Sequence, residues 1–391
     1  MFLIRADGNA KIGAGHLMRC LTIADELHRY VDSGEILFLC ADEQSAQLAQ
    51  DRGYEAFVLG SDPYGSIPHG STSDEGNSYG STSYGSTSDG KNPFGSSSYD
   101  MEAELPAWSG VPGIHEGTNS ILVDSYFVTE HYLREIKKYG VVSLLDDMGT
   151  ERFPVDRIIN YNAFADREQY ESLYKGSETG LVLGSAYVPV RPQFRGSTYR
   201  VRVKAENILI TTGGGDIDNI AGQILKKVRE AAAAAGAENG DGIDEKLNYH
   251  LIIGRFNPHF EEMQALERSS DNIHIYHDVQ NMAELMSRCD LAVTAGGSTV
   301  YELAAIGVPF ICFSYAENQE RIADFFHTEE IAFCAGKYHK DPEPVLERIA
   351  EQTMALVQDH EKRCRCFCRE RRLTDGMGAR RLAEILRASS R

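Results

Sequence analysis

The chain has 391 residues, 42% of them hydrophobic, and a formal net charge of −19. That length accommodates two domains of ordinary size, each with a real core. The acidic balance excludes general affinity for nucleic acid, so an anionic ligand must be attracted locally, by backbone N–H groups, helix ends and a few arginines.

Phe2-Leu3-Ile4 opens a buried strand over 2–5 that ends in the polar residues Arg5 and Asp7. The apolar run is too short for a signal peptide, and no later stretch reaches the length of a membrane span, so the expected compartment is the cytoplasm. Gly13 and Gly15 follow, and a helix begins near His16, with Leu17, Cys20, Leu21, Ala24 and Leu27 at helical spacing. Two glycines let the backbone approach a ligand closely, and a helix N-terminus suits a phosphate. His16 beside it is a titratable group able to move a proton near neutral pH. The ordinary alternative is a structural turn carrying a surface histidine.

Further strands are expected at 36–40, 121–124, 141–145 and 157–160. Asp146-Asp147 ends the third of these, as turn carboxylates often do, with a catalytic role as the other reading. Between the first two lies 61–119, where Gly-Ser-Thr-Ser recurs at 70–73, 80–83 and 85–88. Its composition buries too little apolar surface to fold alone, so it reads as a mobile insertion, with a lid as the alternative. A polar stretch near 196–205 marks a domain boundary.

The second half repeats the rhythm, with strands at 207–212, 249–253, 273–276, 291–295 and 309–313. Gly213-Gly214-Gly215 follows the first of them, as in the opening loop of a nucleotide-type domain. Gly296-Gly297-Ser298-Thr299 follows the fourth, where Ser298 or Thr299 can cap a helix, with Glu302 near the capping-box position. Strand–helix alternation throughout favours two doubly wound parallel sheets, and a glycine turn in each half favours a ligand held between two α/β domains. The eight cysteines are scattered as reduced core residues are; His360 with Cys364, Cys366 and Cys368 misses the usual zinc spacing, so no metal and no cofactor is expected. The basic C-terminal stretch reads as a helix, a turn at Thr374-Asp375-Gly376 and a last helix, its charges on a solvated face.

Several ordered motifs carry a family resemblance: Arg5-Ala6-Asp7-Gly8, Ile12-Gly13-x-Gly15-His16-x-x-Arg19-Cys20, Val123-Asp124-Ser125-Tyr126, Leu145-Asp146-Asp147 and Ile159-Asn160-Tyr161-Asn162. They continue with Thr212-Gly213-Gly214, Ala295-Gly296-Gly297-Ser298-Thr299-Val300-Tyr301-Glu302, Glu317-Asn318-Gln319 and Thr374-Asp375-Gly376-x-Gly378-Ala379-Arg380. Together they resemble the UDP-2,4-diacetamido-2,4,6-trideoxy-β-L-altropyranose hydrolases of pseudaminic acid biosynthesis. These in turn resemble the GT-B glycosyltransferases, especially the N-acetylglucosaminyltransferase of peptidoglycan synthesis. The 61–119 insertion departs from that pattern.

The resemblance implies a GT-B-like α/β fold, two doubly wound Rossmann-type domains facing a central cleft. Residues 1–200 would form the first domain, 201–355 the UDP-binding domain, and 356–391 a helical segment packing back on the first. It implies a monomer that takes a UDP-sugar and releases UDP. His16 would activate water for attack at the anomeric carbon with inversion, and the glycine turns at Gly13, Gly15, Gly213, Gly214, Gly297, Ser298 and Thr299 would supply N–H donors. Glu302 would hold the ribose, the backbone near Val279 the uracil, and Asn318 and Gln319 the sugar and phosphates. Asp124, Tyr126 and Asn162 would line the sugar's side, with Tyr126 equally a wall residue. Two other readings stay open: a GT-B transferase with a sugar acceptor in place of water, and a non-catalytic nucleotide-sugar sensor.

Overall fold

A computed structural model describes residues 1–9, 14–60, 100–213, 216–239, 243–254, 257–277 and 279–388. Two compact units emerge: Met1–Pro189 with Met377–Arg391, and Val190–Gly376. Among the described residues no helix is long and apolar enough to cross a membrane.

Unit 1 is built on a seven-stranded sheet: β1 (Phe2–Ala6), β2 (Ile36–Cys40), β3 (Glu55–Val58), β4 (Asn119–Asp124), β5 (Gly140–Leu145), β6 (Arg157–Asn160) and β7 (Gly180–Leu183). The order is β3-β2-β1-β4-β5-β6-β7, and every pairing is parallel. The chain reverses direction across the sheet between β1 and β4, so a crevice is expected at their carboxyl ends. The register sets Ala6 opposite Asp124, which brings the two strand ends level there. The central strands are buried along their whole length, and mostly apolar, because helices cover both faces.

Unit 2 carries a six-stranded parallel sheet: β8 (Asn207–Thr211), β9 (Asn248–Ile253), β10 (Ile273–His277), β11 (Leu291–Ala295), β12 (Phe310–Ser314) and β13 (Phe333–Lys337), in the order β10-β9-β8-β11-β12-β13. Its reversal lies between β8 and β11. Both sheets are doubly wound, as the strand–helix rhythm requires. The sequence reading missed β3, β7 and β13. All three are short edge strands with half-exposed residues, and so lack the continuous apolar run that marks a central strand.

Four expectations need correction. The insertion does not extend to residue 119. Residues 61–99 lie outside the described residues, but Met101–Glu104 is a helical turn and Leu105–Trp108 a short helix. Trp108 is fully buried, stacks on Tyr139 at 5.7 Å and donates its Nε1 proton to Tyr132 at 3.1 Å. Glu104 receives the Nε proton of the fully buried Arg5 at 2.8 Å. A low-complexity neighbour had masked one tryptophan and one glutamate that the core needs.

Nor does the domain boundary fall at 200, because the chain enters unit 2 at Val190. The final segment is also divided. The helix His360–Leu373 belongs to unit 2, and only Met377 onward groups with unit 1. That last helix, Gly378–Ala388, meets the helix Gly15–Leu27 and its exit, where Tyr30 donates to Glu384 at 2.9 Å. Lastly, the basic stretch is not wholly solvated. Arg363 is buried and donates to the carbonyls of Val357, Arg202 and Val203 at 2.9–3.0 Å, which replaces its lost hydration.

Candidate functional site

The helix Gly15–Leu27 follows β1, and no side chain caps its N-terminus. It can start so close to the strand because Gly8 has no Cβ. One there would lie 2.8 Å from the Leu17 Cβ. Gly13 lies outside the described residues. Gly15 is exposed, with open space around it.

His16 stands in the first turn of this helix, its side chain 13% exposed. Its Nδ1 lies 2.6 Å from Oδ1 of Asp124, the last residue of β4. Arg19, three residues on and therefore on the same helix face, sends Nε to Asp124 Oδ2 at 2.5 Å and one terminal nitrogen to Oδ1 at 2.5 Å. Its other terminal nitrogen reaches Asp147 Oδ2 at 2.8 Å and the Tyr161 hydroxyl. Tyr126 donates to the same Asp147 oxygen at 3.1 Å, and Asn162 donates to the other at 3.0 Å. The Tyr126 ring meets His16 edge-on, with centroids 4.6 Å apart.

The electrostatics of this network follow from its geometry. Burial alone would raise the Asp124 carboxyl, but Arg19 and His16 outweigh it and hold it well below the usual carboxylate range. Burial also opposes charge on Arg19, yet Asp124 and Asp147 raise its pKa further. Burial pushes the Tyr126 phenol well up, so it stays protonated and donates. Arg19 also brings a terminal nitrogen to 3.1 Å from His16 Nδ1, but the ionised Asp124 carboxylate 2.6 Å from that nitrogen can only accept. The Nδ1 proton of His16 therefore goes to Asp124, and the neutral tautomer carries its lone pair on Nε2. Chemically, this is an oriented base whose protonated form has a carboxylate ready behind it.

Asp124 is 1% exposed, and both its oxygens are taken by His16 and Arg19. Asn162 spends its amide protons on Asp147 and Asn160, and Tyr126 forms a wall beside His16. Asp146 and Asp147 separate in role. Asp146 closes a turn by accepting from the N–H groups of Met148 and Gly149 and from the Tyr170 hydroxyl, whereas Asp147 joins the histidine network. Sequence reasoning gave Arg19 and Tyr161 no role. The i, i+3 spacing of His16 and Arg19 was the one available signal.

In unit 2 the turn after β8 behaves differently from expectation. Gly213 has φ +97°, a conformation that favours glycine, and Gly214 lies outside the described residues. The helix Ile220–Asn239 that follows is already capped. Asp216 accepts from Ile220 N–H at 2.7 Å, Ala221 N–H at 2.9 Å and the Thr212 hydroxyl at 3.0 Å. A buried carboxylate of the chain itself thus takes the first free N–H groups of that helix.

The turn after β11 is the reverse case. Gly296 and Gly297 spend their N–H groups on Phe313 and Ala295. The helix Thr299–Ile306 has Ser298 at its N-cap, without a side-chain capping bond. The expected capping box does not form, because Glu302 instead receives the Nε proton of Arg191 at 2.8 Å. No acceptor among the described residues meets the N–H groups of Ser298 and Thr299. Gln319 lies beside Gly296 and braces its own loop by accepting from Tyr315 N–H at 3.1 Å; Asn318 shares that turn, Glu317–Gln319.

Residues 207–365 match the family model described as "Glycosyltransferase family 28 C-terminal domain". The whole chain is similar to MurG of Acinetobacter baumannii, with a TM-score of 0.61 at 14% identity over 99% of both chains. It is similar too to CalG4, the calicheamicin glycosyltransferase, with a TM-score of 0.57 at 14% identity over 99% of this chain and 98% of the other. The fold is GT-B. Among curated proteins, the spore coat polysaccharide biosynthesis protein SpsG of Bacillus subtilis is 26% identical over 216 residues, 55% of this chain and 60% of that protein. The UDP-2,4-diacetamido-2,4,6-trideoxy-β-L-altropyranose hydrolase of Campylobacter jejuni is 24% identical over 204 residues, 52% of this chain and 69% of that protein. The chain therefore spans less than two thirds of the Bacillus relative.

Within the second GT-B sheet, Val279 follows β10, three interstrand spacings from β11. That is ~14 Å along the carboxyl ends of the strands. Away from these loops, Cys366 is buried and Cys368 exposed on one helix, with Cys364 Sγ 3.6 Å from His360 Nε2. No group of three or more metal-ligating side chains gathers among the described residues.

Proposed function

We propose that this protein hydrolyses a UDP-linked sugar, UDP-2,4-diacetamido-2,4,6-trideoxy-β-L-altropyranose, to UDP and the free sugar. The observation that carries the reading is the His16–Asp124 pair, an oriented base with its lone pair on Nε2. The partial likeness to the Campylobacter hydrolase supplies the substrate, and the match to the glycosyltransferase family 28 C-terminal domain supports a nucleotide-sugar ligand for unit 2.

In this mechanism a water oxygen bonds to C1 of the sugar while the bond from C1 to the β-phosphate oxygen breaks. The water proton passes to His16 Nε2, and the bonding electrons leave on UDP. Asp124 stabilises the imidazolium that results, and attack opposite the leaving group inverts C1. The free N–H groups of Ser298 and Thr299, at a helix N-terminus, would stabilise the departing diphosphate. Glu302 would hold the ribose, and Val279 would lie near the base.

A second reading is a UDP-sugar glycosyltransferase, in which an acceptor hydroxyl replaces water. The glycosyltransferase family match favours it, and His16 would serve either oxygen equally well. Incubating the pure protein with the UDP-sugar in ¹⁸O-water, without acceptor, decides between them. Hydrolysis at C1 should release UDP with the label in the sugar alone. UDP release that waits for an added acceptor would establish the transferase, and label in the UDP phosphate would overturn attack at carbon.

A further inference from the structure

Arg191 has no role in the chemistry above, yet its surroundings are elaborately built. It is followed by the helical turn Pro192–Phe194, which is fastened to unit 2 at three points. Gln193 accepts from Ala283 N–H at 3.0 Å, Phe194 is buried, and Arg195 donates to the Gly376 carbonyl at 2.9 Å. The Arg191 guanidinium lies 5.1 Å from the Phe194 ring centroid, which fixes its plane. From there Nε meets Glu302 Oε1, with the two side chains 23% and 13% exposed. No other donor among the described residues meets the Glu302 carboxylate.

A glutamate at the start of a helix is drawn towards its own free N–H groups, and three rotatable bonds let it go there. The ion pair prevents this. One oxygen is committed and the charge is balanced, which leaves the second oxygen as an acceptor that no donor among the described residues meets. We propose that Arg191 is a positioning residue for nucleotide recognition: it holds Glu302 so that Oε2 accepts from the vicinal hydroxyls of a ribose. This rests on the reading that unit 2 binds UDP through Glu302.

The test is titration calorimetry of UDP and of 2′,3′-dideoxy-UDP against the wild-type protein, Arg191→Ala, Arg191→Lys, Glu302→Ala and the double variant. Arg191→Ala and Glu302→Ala should each weaken UDP about tenfold, the scale of a lost charge-assisted hydrogen bond. Arg191→Lys should recover part of that loss, since an ammonium can still pair with one oxygen. The double variant should bind UDP no more weakly than Glu302→Ala alone, and 2′,3′-dideoxy-UDP should bind Arg191→Ala and wild type alike. A further loss in the double variant would mean that Arg191 touches the ligand itself and would overturn the proposal. So would an Arg191→Ala protein with wild-type UDP affinity beside a weakened Glu302→Ala. Failure of the wild-type protein to bind UDP at all would remove the nucleotide reading along with it.

Discussion

Asp124 receives the Nδ1 proton of His16 on one oxygen while Arg19 holds both. The carboxylate therefore sets the ring's tautomer, its orientation and its capacity to carry positive charge. His16→Asn should keep the fold and UDP binding but lower turnover by about 10²-fold or more, the usual range for a general base. Asp124→Asn should also lower turnover without changing UDP affinity, because an amide offers only one acceptor oxygen to His16 and Arg19 together. Steady-state kinetics and UDP titrations on both variants, below their melting temperatures, check this. Near-wild-type turnover in Asp124→Asn would reduce Asp124 to a packing role. The role of Tyr161 escaped sequence analysis because it sits one residue past the end of β6, where aromatics commonly form walls, and for Asp147, two residues past β5, a turn and a catalytic role read equally well.

At the scale of elements, the short helix Leu105–Trp108 and the turn before it belong to the first core although they adjoin a low-complexity run. Arg5 is fully buried, and its counter-charges are Glu104 and Asp7. Removing one partner of a buried ion pair commonly costs 3–5 kcal/mol. Loss of a buried tryptophan costs a similar amount, about 3–5 kcal/mol. Deleting residues 62–98 should thus leave the melting temperature near the parent's, since loop closure costs little with length. Deleting 64–112, which removes Glu104 and Trp108 as well, should unfold unit 1. Calorimetry on the two deletions side by side checks both statements, and a folded 64–112 deletion would contradict the buried pair's importance. Composition alone had blurred this boundary, because it averages over a window and two large residues do not change the average.

For the whole molecule, pH should act differently on the two units. In unit 2, burial and the neighbouring His274 and Arg288 push His250 down to about 4. A histidine kept neutral in the folded state contributes fully above its unfolded pKa near 6.5. That contribution is lost as pH falls towards 4. Glu370 runs the other way. Burial raises its carboxyl well above the usual range, so folding gains as pH falls through that interval. The stability difference between wild type and His250→Gln isolates the histidine and should shrink between pH 6.5 and 4. In unit 1 the Asp124 carboxyl is held low, so its contribution stands above the unfolded carboxylate range and disappears only in stronger acid. The difference between wild type and Asp124→Asn should therefore stay level from pH 7 to about 4.5. Denaturant titrations across this range measure both differences. A flat His250→Gln difference, or an Asp124→Asn difference that already falls at pH 6, would contradict these assignments.

Local sequence determined the glycine turns, the apolar central strands and the helix bearing His16, because continuous burial and 3.6-residue spacing are short-range patterns. From these, two doubly wound sheets were legible. Tertiary structure alone decided the partners of the charges. Arg5 meets Glu104 across 99 positions, Arg19 meets Asp124 across 105, and Arg191 meets Glu302 across 111. Tertiary structure decided, too, which helix ends stay open: Asp216 fills one and leaves Ser298 and Thr299 the other. No periodicity encodes such pairings, because charged residues look alike in sequence until the sheet order brings their strand ends together.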